Sequence, residues 1–147
     1  MTLRCEGCGE VVAASAEAPF PFRCPKAGRD GADHLLAPVF DPAWTHFPED
    51  PIEGNPFLDY RGLLHSHALA CAHGLGDEGF VALVERLDAA VAAVDWTGFR
   101  ATPFGPLPAL GASLGFQDGG AVWVKDDTAN VGGSHKARHL MGILLHL

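Results

Sequence analysis

The stretch that most constrains this chain lies near its end, from Val122 to His139, where strand formers, turn formers and a helical pattern follow one another without interruption. Val122, Trp123 and Val124 predict a buried strand, and Asp126, Asp127, Asn130, Gly132 and Gly133 predict a tight loop after it. Beyond the loop, Leu140, Ile143, Leu144 and Leu147 fall at i, i+3, i+4 and i+7, one face of a helix for which Ser134 is the expected N-cap. Lys136 then sits in the first helical turn. Unpaired backbone N–H groups and the positive end of the helix dipole favour an anion there, phosphate above all. An ordinary lysine titrates near ~10.4, so using one as a neutral nucleophile at about pH 7 costs roughly 4–5 kcal/mol unless its surroundings help. A lone lysine at a helix end is normally a solvated surface group. Strand, asparagine, double glycine, Ser-His-Lys and apolar helix in one run point instead to a ligand site.

This run resembles the lysine motif of the fold-type II pyridoxal-phosphate enzymes, the group of threonine synthase, the tryptophan synthase β chain, threonine dehydratase and cysteine synthase. The resemblance implies an α/β fold, here the N-terminal part of such an enzyme with a small Cys-rich, zinc-ribbon-like β module in front. It implies pyridoxal phosphate as cofactor and Lys136 as the catalytic residue forming the Schiff base with the cofactor aldehyde. His135 and Ser134 would lie beside the cofactor phosphate and the substrate, and Asn130 would shape the turn.

The whole chain bounds the partners. Its 147 residues, 48% hydrophobic and 19% charged, have a globular composition. Ten basic against eighteen acidic side chains give a net charge of −8, which opposes nonspecific contact with nucleic acid or an anionic membrane and suits a small-molecule partner. No window approaches the roughly 18–20 apolar residues of a membrane span, and the first residues lack the apolar core of a secretion signal. A cytoplasmic location is therefore expected. In that compartment four cysteines, two of them in a Cys-x-x-Cys pair, suit metal binding better than a disulfide framework. The last helical pattern runs into Leu147 with no Gly, Asn, Pro or basic residue to close it, the expected look of a truncated enzyme with little turnover of its own.

Three regions are expected: a Cys-rich module over 1–40, a Pro-rich linker over 41–57 and the N-terminal part of a catalytic domain over 58–147. In the module, Val11-Val12, Phe20 to Phe22 and Leu35 to Phe40 suggest short strands. Cys5-x-x-Cys8-Gly followed by Cys24-Pro has the rhythm of a zinc ribbon, but Ala27 stands where a fourth cysteine would be. His34 is the nearest donor that completes a Cys₃His set; three cysteines without a fourth equally describe a ribbon that has lost its metal. In so small a module, structural zinc would supply about 10–16 kcal/mol. The linker holds Pro42, Pro48, Pro51 and Pro56, with Trp44 and Phe47 as anchors.

A helix is expected from Leu58 to His73, stopped by Gly74. On it His65 and His67 point to different faces; the Cys71 and His67 pair at i, i+4 is read as a buried cysteine beside a partly exposed histidine. The strongest helix runs from Asp77, as its cap, to Val94, with Phe80, Val84, Leu87, Val91 and Val94 in one stripe. Thr102-Pro103-Phe104-Gly105-Pro106-Leu107 should open a short helix with Leu107, Leu110 and Leu114 on one side. Asp126 and Asp127 face opposite ways and are read as turn caps rather than an acid/base pair.

The cysteine knuckles, Tyr60-Arg61 and the Thr102-Pro103 entry are similar to segments of threonine synthases. They imply β,γ-elimination and replacement on O-phosphohomoserine or a related hydroxy amino acid, with a homodimer possible for a full-length enzyme. His135 departs from the Phe usual there, and Ser-His-Lys is nearer the tryptophan synthase pattern. The alternative is a small zinc-binding interaction protein whose lysine motif is vestigial.

Overall fold

The structure, a computed structural model, describes residues 2–13, 21–28, 30–39, 47–48, 54–117 and 120–147. Phe20 and Phe40 of the expected strands, and Pro42, Trp44 and Pro51 of the expected linker, lie outside these residues. The fold is small and mixed α/β, with two small antiparallel sheets. The chain divides into two units, Met1–Phe47 with Tyr60–Phe80, and Pro48–Asp59 with Val81–Leu147.

In the first unit β1 (Thr2–Cys5) runs between β2 (Val11–Ala13) and β3 (Leu36–Val39), with Leu3 opposite both Val12 and Pro38. Pro38 stands on an outer strand, where its missing N–H breaks no central ladder. The β1–β2 turn closes with Cys5 N–H donating to the Glu10 carbonyl at 2.8 Å, helped by Gly9 in the left-handed region at φ 73°. Strands this short bury little. Among the described residues up to Val39, the buried ones are Cys5 and Cys24, at 1% and 3% exposure.

The helix expected over Leu58 to His73 is broken into α1 (Pro56–Asp59), a 3₁₀ turn at Arg61–Leu63, and α2 (His65–Ala72). Leu64 is extended at φ −86°, ψ 129°, and Gly62 within the turn weakens any continuous helix. Cys71, expected to be buried, is exposed, with its Sγ 3.5 Å from His67 Nε2. Asp77 follows the first residue of α3 (Gly76–Asp95) and, instead of capping it, accepts hydrogen bonds from Arg61 Nε at 2.6 Å and His67 Nε2 at 2.9 Å. Those two donors, Arg61 first, pull its carboxyl from 3.8 to about 2.

In the second unit the α3 stripe packs through Val84, fully buried, but Val94 at its end is 81% exposed. The same face buries a carboxylate: Asp88 Oδ1 accepts the Phe99 N–H at 2.6 Å and Oδ2 accepts Arg100 Nη1 at 3.0 Å. Gly98 makes this possible, since a Cβ there would lie 2.7 Å from Asp88 Oδ1. Phe99, so anchored, meets Phe57 edge to face at 5.1 Å.

β4 (Phe104–Pro106) pairs antiparallel with β5 (Trp123–Lys125), Gly105 opposite Val124. The strand expected to be buried is therefore one half of an exposed two-stranded sheet, with Trp123 58% exposed and 5.3 Å from the Phe104 ring. Between them α4 (Pro108–Ser113) opens on a proline, but Leu107, Leu110 and Leu114 are all exposed rather than packed. The last element, α5 (Lys136–Leu144), buries Met141 at 3% exposure.

Two outcomes follow. A carboxylate whose folded pKa is depressed gives stability that is present above its unfolded pKa and lost as pH falls through the folded one. Stability should thus drop between about pH 4 and about pH 2, and Asp77→Asn should flatten that part of an acid titration followed by circular dichroism. An identical profile in the variant would contradict the Arg61–Asp77–His67 account. Asp88→Ala leaves the buried Phe99 N–H without its acceptor and should cost about 1–3 kcal/mol in urea unfolding; an unchanged midpoint would contradict the anchor.

Candidate functional site

Two constellations carry chemistry, one in each unit. In the first, the β1–β2 turn presents Cys5 and Cys8, a separate loop supplies Cys24, and the segment before β3 supplies His34. Their donor atoms all lie within 4.8 Å of one another, a cluster able to hold a metal ion such as zinc. Cys5 Sγ is 3.5 Å from His34 Nδ1, and Cys8 Sγ is 3.6 Å from Cys24 Sγ. All four cysteines of the chain are free thiols.

Gly7 is what admits the histidine. A Cβ at Gly7 would overlap the Asp33 carbonyl oxygen, so only glycine lets the chain before His34 lie against the knuckle. The Glu6 N–H donates to the Leu35 carbonyl at 2.8 Å and fixes the same approach. On its far side His34 Nε2 meets both carboxylate oxygens of Asp30, at 3.0 and 3.2 Å. Asp30 was not singled out from the sequence, although it stands four residues before His34 in a polar loop.

These contacts set the protonation of the metal-free cluster. Asp30 above all, then the Cys5 thiol, raises His34 to about 9. Burial pushes the Cys5 thiol up, but the Cys8 and Gly7 N–H groups and the neighbouring thiols outweigh it and bring Cys5 down to about 7. Burial, and then the Cys8 and Cys5 sulfurs, raise Cys24 to about 11. One thiolate thus forms first and suppresses its neighbour, the usual behaviour of sulfurs that share a small space without a cation.

The second constellation is the glycine corner ahead of α5. Asn130 is 3% exposed; its Nδ2 donates to the Ser134 carbonyl at 2.6 Å and its N–H to the Asp127 carbonyl at 3.0 Å. Between these anchors Gly132 and Gly133 take φ 60° and 59°, which a side chain would disfavour. Ser134 is extended, at φ −150°, and its Oγ accepts the Lys136 N–H at 3.2 Å. The cap expected from Ser134 thus acts on the first residue of α5, with His135 exposed between them.

Lys136 is exposed, and its amine has no partner among the described residues. The neighbouring cations are engaged. Lys125 Nζ donates to the Thr102 carbonyl and hydroxyl. Arg138 Nη1 donates to Asp127 at 2.8 Å, and its Nη2 to the Thr102 hydroxyl and the Arg100 carbonyl, each at 3.0 Å. The Thr102 hydroxyl, ahead of Arg138, holds the Asp127 carboxyl below the ordinary range. Asp126 accepts the Thr128 N–H and hydroxyl and caps the turn, so the two aspartates are structural. An apolar cavity of about 220 Å³ lies against α5, lined by Val91, Phe99, Val131, Leu140 and Met141 among others, but Lys136 is not in its wall.

No family model, curated protein or solved structure matches the chain.

The corner makes a stability prediction of its own. Gly132→Ala and Gly133→Ala each force a side chain into the left-handed region and should cost about 1–2 kcal/mol, read as a lower urea midpoint. A midpoint unchanged in both variants would show that the corner takes another shape.

Proposed function

We propose that the chain is a pyridoxal-phosphate-dependent amino-acid enzyme, threonine synthase-like, with Lys136 as the amine that takes the cofactor. The observation that carries this reading is the placement of an exposed, unengaged lysine in the first turn of α5, behind a corner pinned by Asn130 and turned by two left-handed glycines. Residues at this corner support the reading. They offer a free amine, the Ser134 hydroxyl and the N-terminal end of a nine-residue helix, where a phosphate is favoured. When bound, pyridoxal phosphate supplies an aldehyde that captures amino groups and a ring that holds carbanion charge.

The protein's own contribution is positional. Lys136 is the base that moves a proton at the substrate Cα. Arg138 ties the start of α5 to Asp127 and Thr102, so the backbone that carries Lys136 is anchored. Ser134 retains a hydroxyl proton to give to an anionic oxygen. The cysteine knuckle, Tyr60-Arg61 and Thr102-Pro103 favour a phospho-hydroxy amino acid such as O-phosphohomoserine and β,γ replacement. His135 in the Ser-His-Lys triplet keeps other hydroxy amino acids in view.

A second reading, a metal-holding interaction module with a vestigial lysine motif, is favoured by the four-donor cluster. Labelling separates the two. The chain has three lysines, Lys26, Lys125 and Lys136. Titration with pyridoxal phosphate should give a saturable visible absorbance, and borohydride should fix the added mass on Lys136 alone. Lys136→Ala should abolish both, whereas Lys26→Ala should not. Labelling spread evenly over the three lysines would leave the interaction module standing.

A further inference from the structure

We infer that Cys5, Cys8, Cys24 and His34 form a tetrahedral structural zinc site in which His34 binds through Nδ1 and Asp30 is the residue that orients it. The inference is independent of the Lys136 reading. Zinc with Zn–S of about 2.3 Å and Zn–N of about 2.0–2.1 Å requires tetrahedral edges of about 3.8 Å between two sulfurs and about 3.6 Å between sulfur and nitrogen. The Cys8–Cys24 and Cys5–His34 pairs stand at 3.6 and 3.5 Å, already close to those edges. The remaining donor pairs lie within 4.8 Å, so small side-chain shifts close the tetrahedron.

The histidine decides the ligand atom. Its side chain is 6% exposed, and its Nε2 faces the Asp30 carboxylate while Nδ1 faces the sulfurs. In the zinc form Nε2–H donates to Asp30, and Nδ1, its proton displaced by the ion, directs its lone pair into the cluster. A carboxylate on the distal nitrogen is the usual second partner of a metal-bound histidine and fixes both tautomer and ring orientation. Asp30 is itself steadied, since its Oδ1 accepts the Ala32 N–H at 3.1 Å.

The donor set selects the ion. Three sulfurs and one imidazole suit zinc and exclude the oxygen-seeking magnesium and calcium. Burial gives the ion its role. Two of the ligands, Cys5 and Cys24, are the buried residues of the described part of this module, so the metal stands where a larger domain would place an apolar core.

The test uses the full chain, expressed and purified under reducing conditions. One zinc per chain should be found by elemental analysis. Cobalt in its place should give the sulfur charge-transfer and tetrahedral ligand-field bands of a Cys₃His site. Nitrogen-15 spectra of the zinc form should show a metal-bound Nδ1 and a protonated Nε2 on His34. Asp30→Asn should keep the stoichiometry, lower zinc affinity about 10–100-fold in chelator competition and disturb the His34 tautomer; Asp30→Glu should restore part of the affinity. Cys24→Ala should lose the site, and Lys136→Ala should leave it unchanged. Nε2 ligation, equal affinity in wild type and Asp30→Asn, or a Cys8–Cys24 disulfide with no zinc uptake under reducing conditions would each overturn the proposal.

Discussion

Short strands cannot hold themselves together, and the Cys-rich module within the first unit depends on what its sulfurs do. Strands of three and four residues, with two cysteines as the buried side chains up to Val39, provide almost no apolar area to offset the entropy of ordering the chain. The hydrogen bonds of the sheet set its register but add little net stability. What remains is the convergence of Cys5, Cys8, Cys24 and His34. Without a cation, the sulfur that ionises first, helped by its neighbours' S–H groups, impedes ionisation of Cys24; with one, the same crowding becomes coordination. Gly7 is the covalent condition for this, because any side chain there would push the His34 segment away.

The second unit is organised differently, around backbone groups claimed by a few side chains. Asp88 reaches from α3 to hold Phe99, and Asn130 reaches along the chain to hold Ser134. Arg138 and Lys125 both converge on Thr102. These clamps anchor the first turn of α5 and engage Lys125 and Arg138, while the Lys136 amine has no partner among the described residues.

Much of this was legible in the residues themselves. The Cys-x-x-Cys spacing with His34, the long α3 pattern and the strand, corner and helix leading to Lys136 are local signals, and local signals survive in a sequence. Errors came where an interaction at a distance decided the outcome. Phe104-Gly105-Pro106 reads as part of the entry to a short helix, yet it pairs with Trp123–Lys125 because an exposed edge tolerates proline. Asp77 reads as a cap, but Arg61 and His67 compete for its carboxylate. Asp88 reads as one of the acidic residues opposite the α3 stripe, yet it is buried because it accepts the Phe99 N–H from beyond the helix end. Val94, and Leu107, Leu110 and Leu114 in and beside α4, satisfy a helical period and still remain exposed, since period alone does not say whether a partner surface exists. Asp30 escaped notice because nothing in a loop marks which carboxylate will face a ring nitrogen.

The central physical claim is that the Cys-rich module, the described residues up to Val39, is assembled around a metal instead of around a core. Amide hydrogen exchange of β1, β2 and β3, compared with and without a strong zinc chelator, tests it most directly. The expected result is slow exchange at Arg4, Cys5 and Glu6 in the zinc-loaded chain and loss of that protection when the metal is withdrawn. Equal protection in both conditions would mean that the sheet stands on its own bonds, and the account of this module would be wrong.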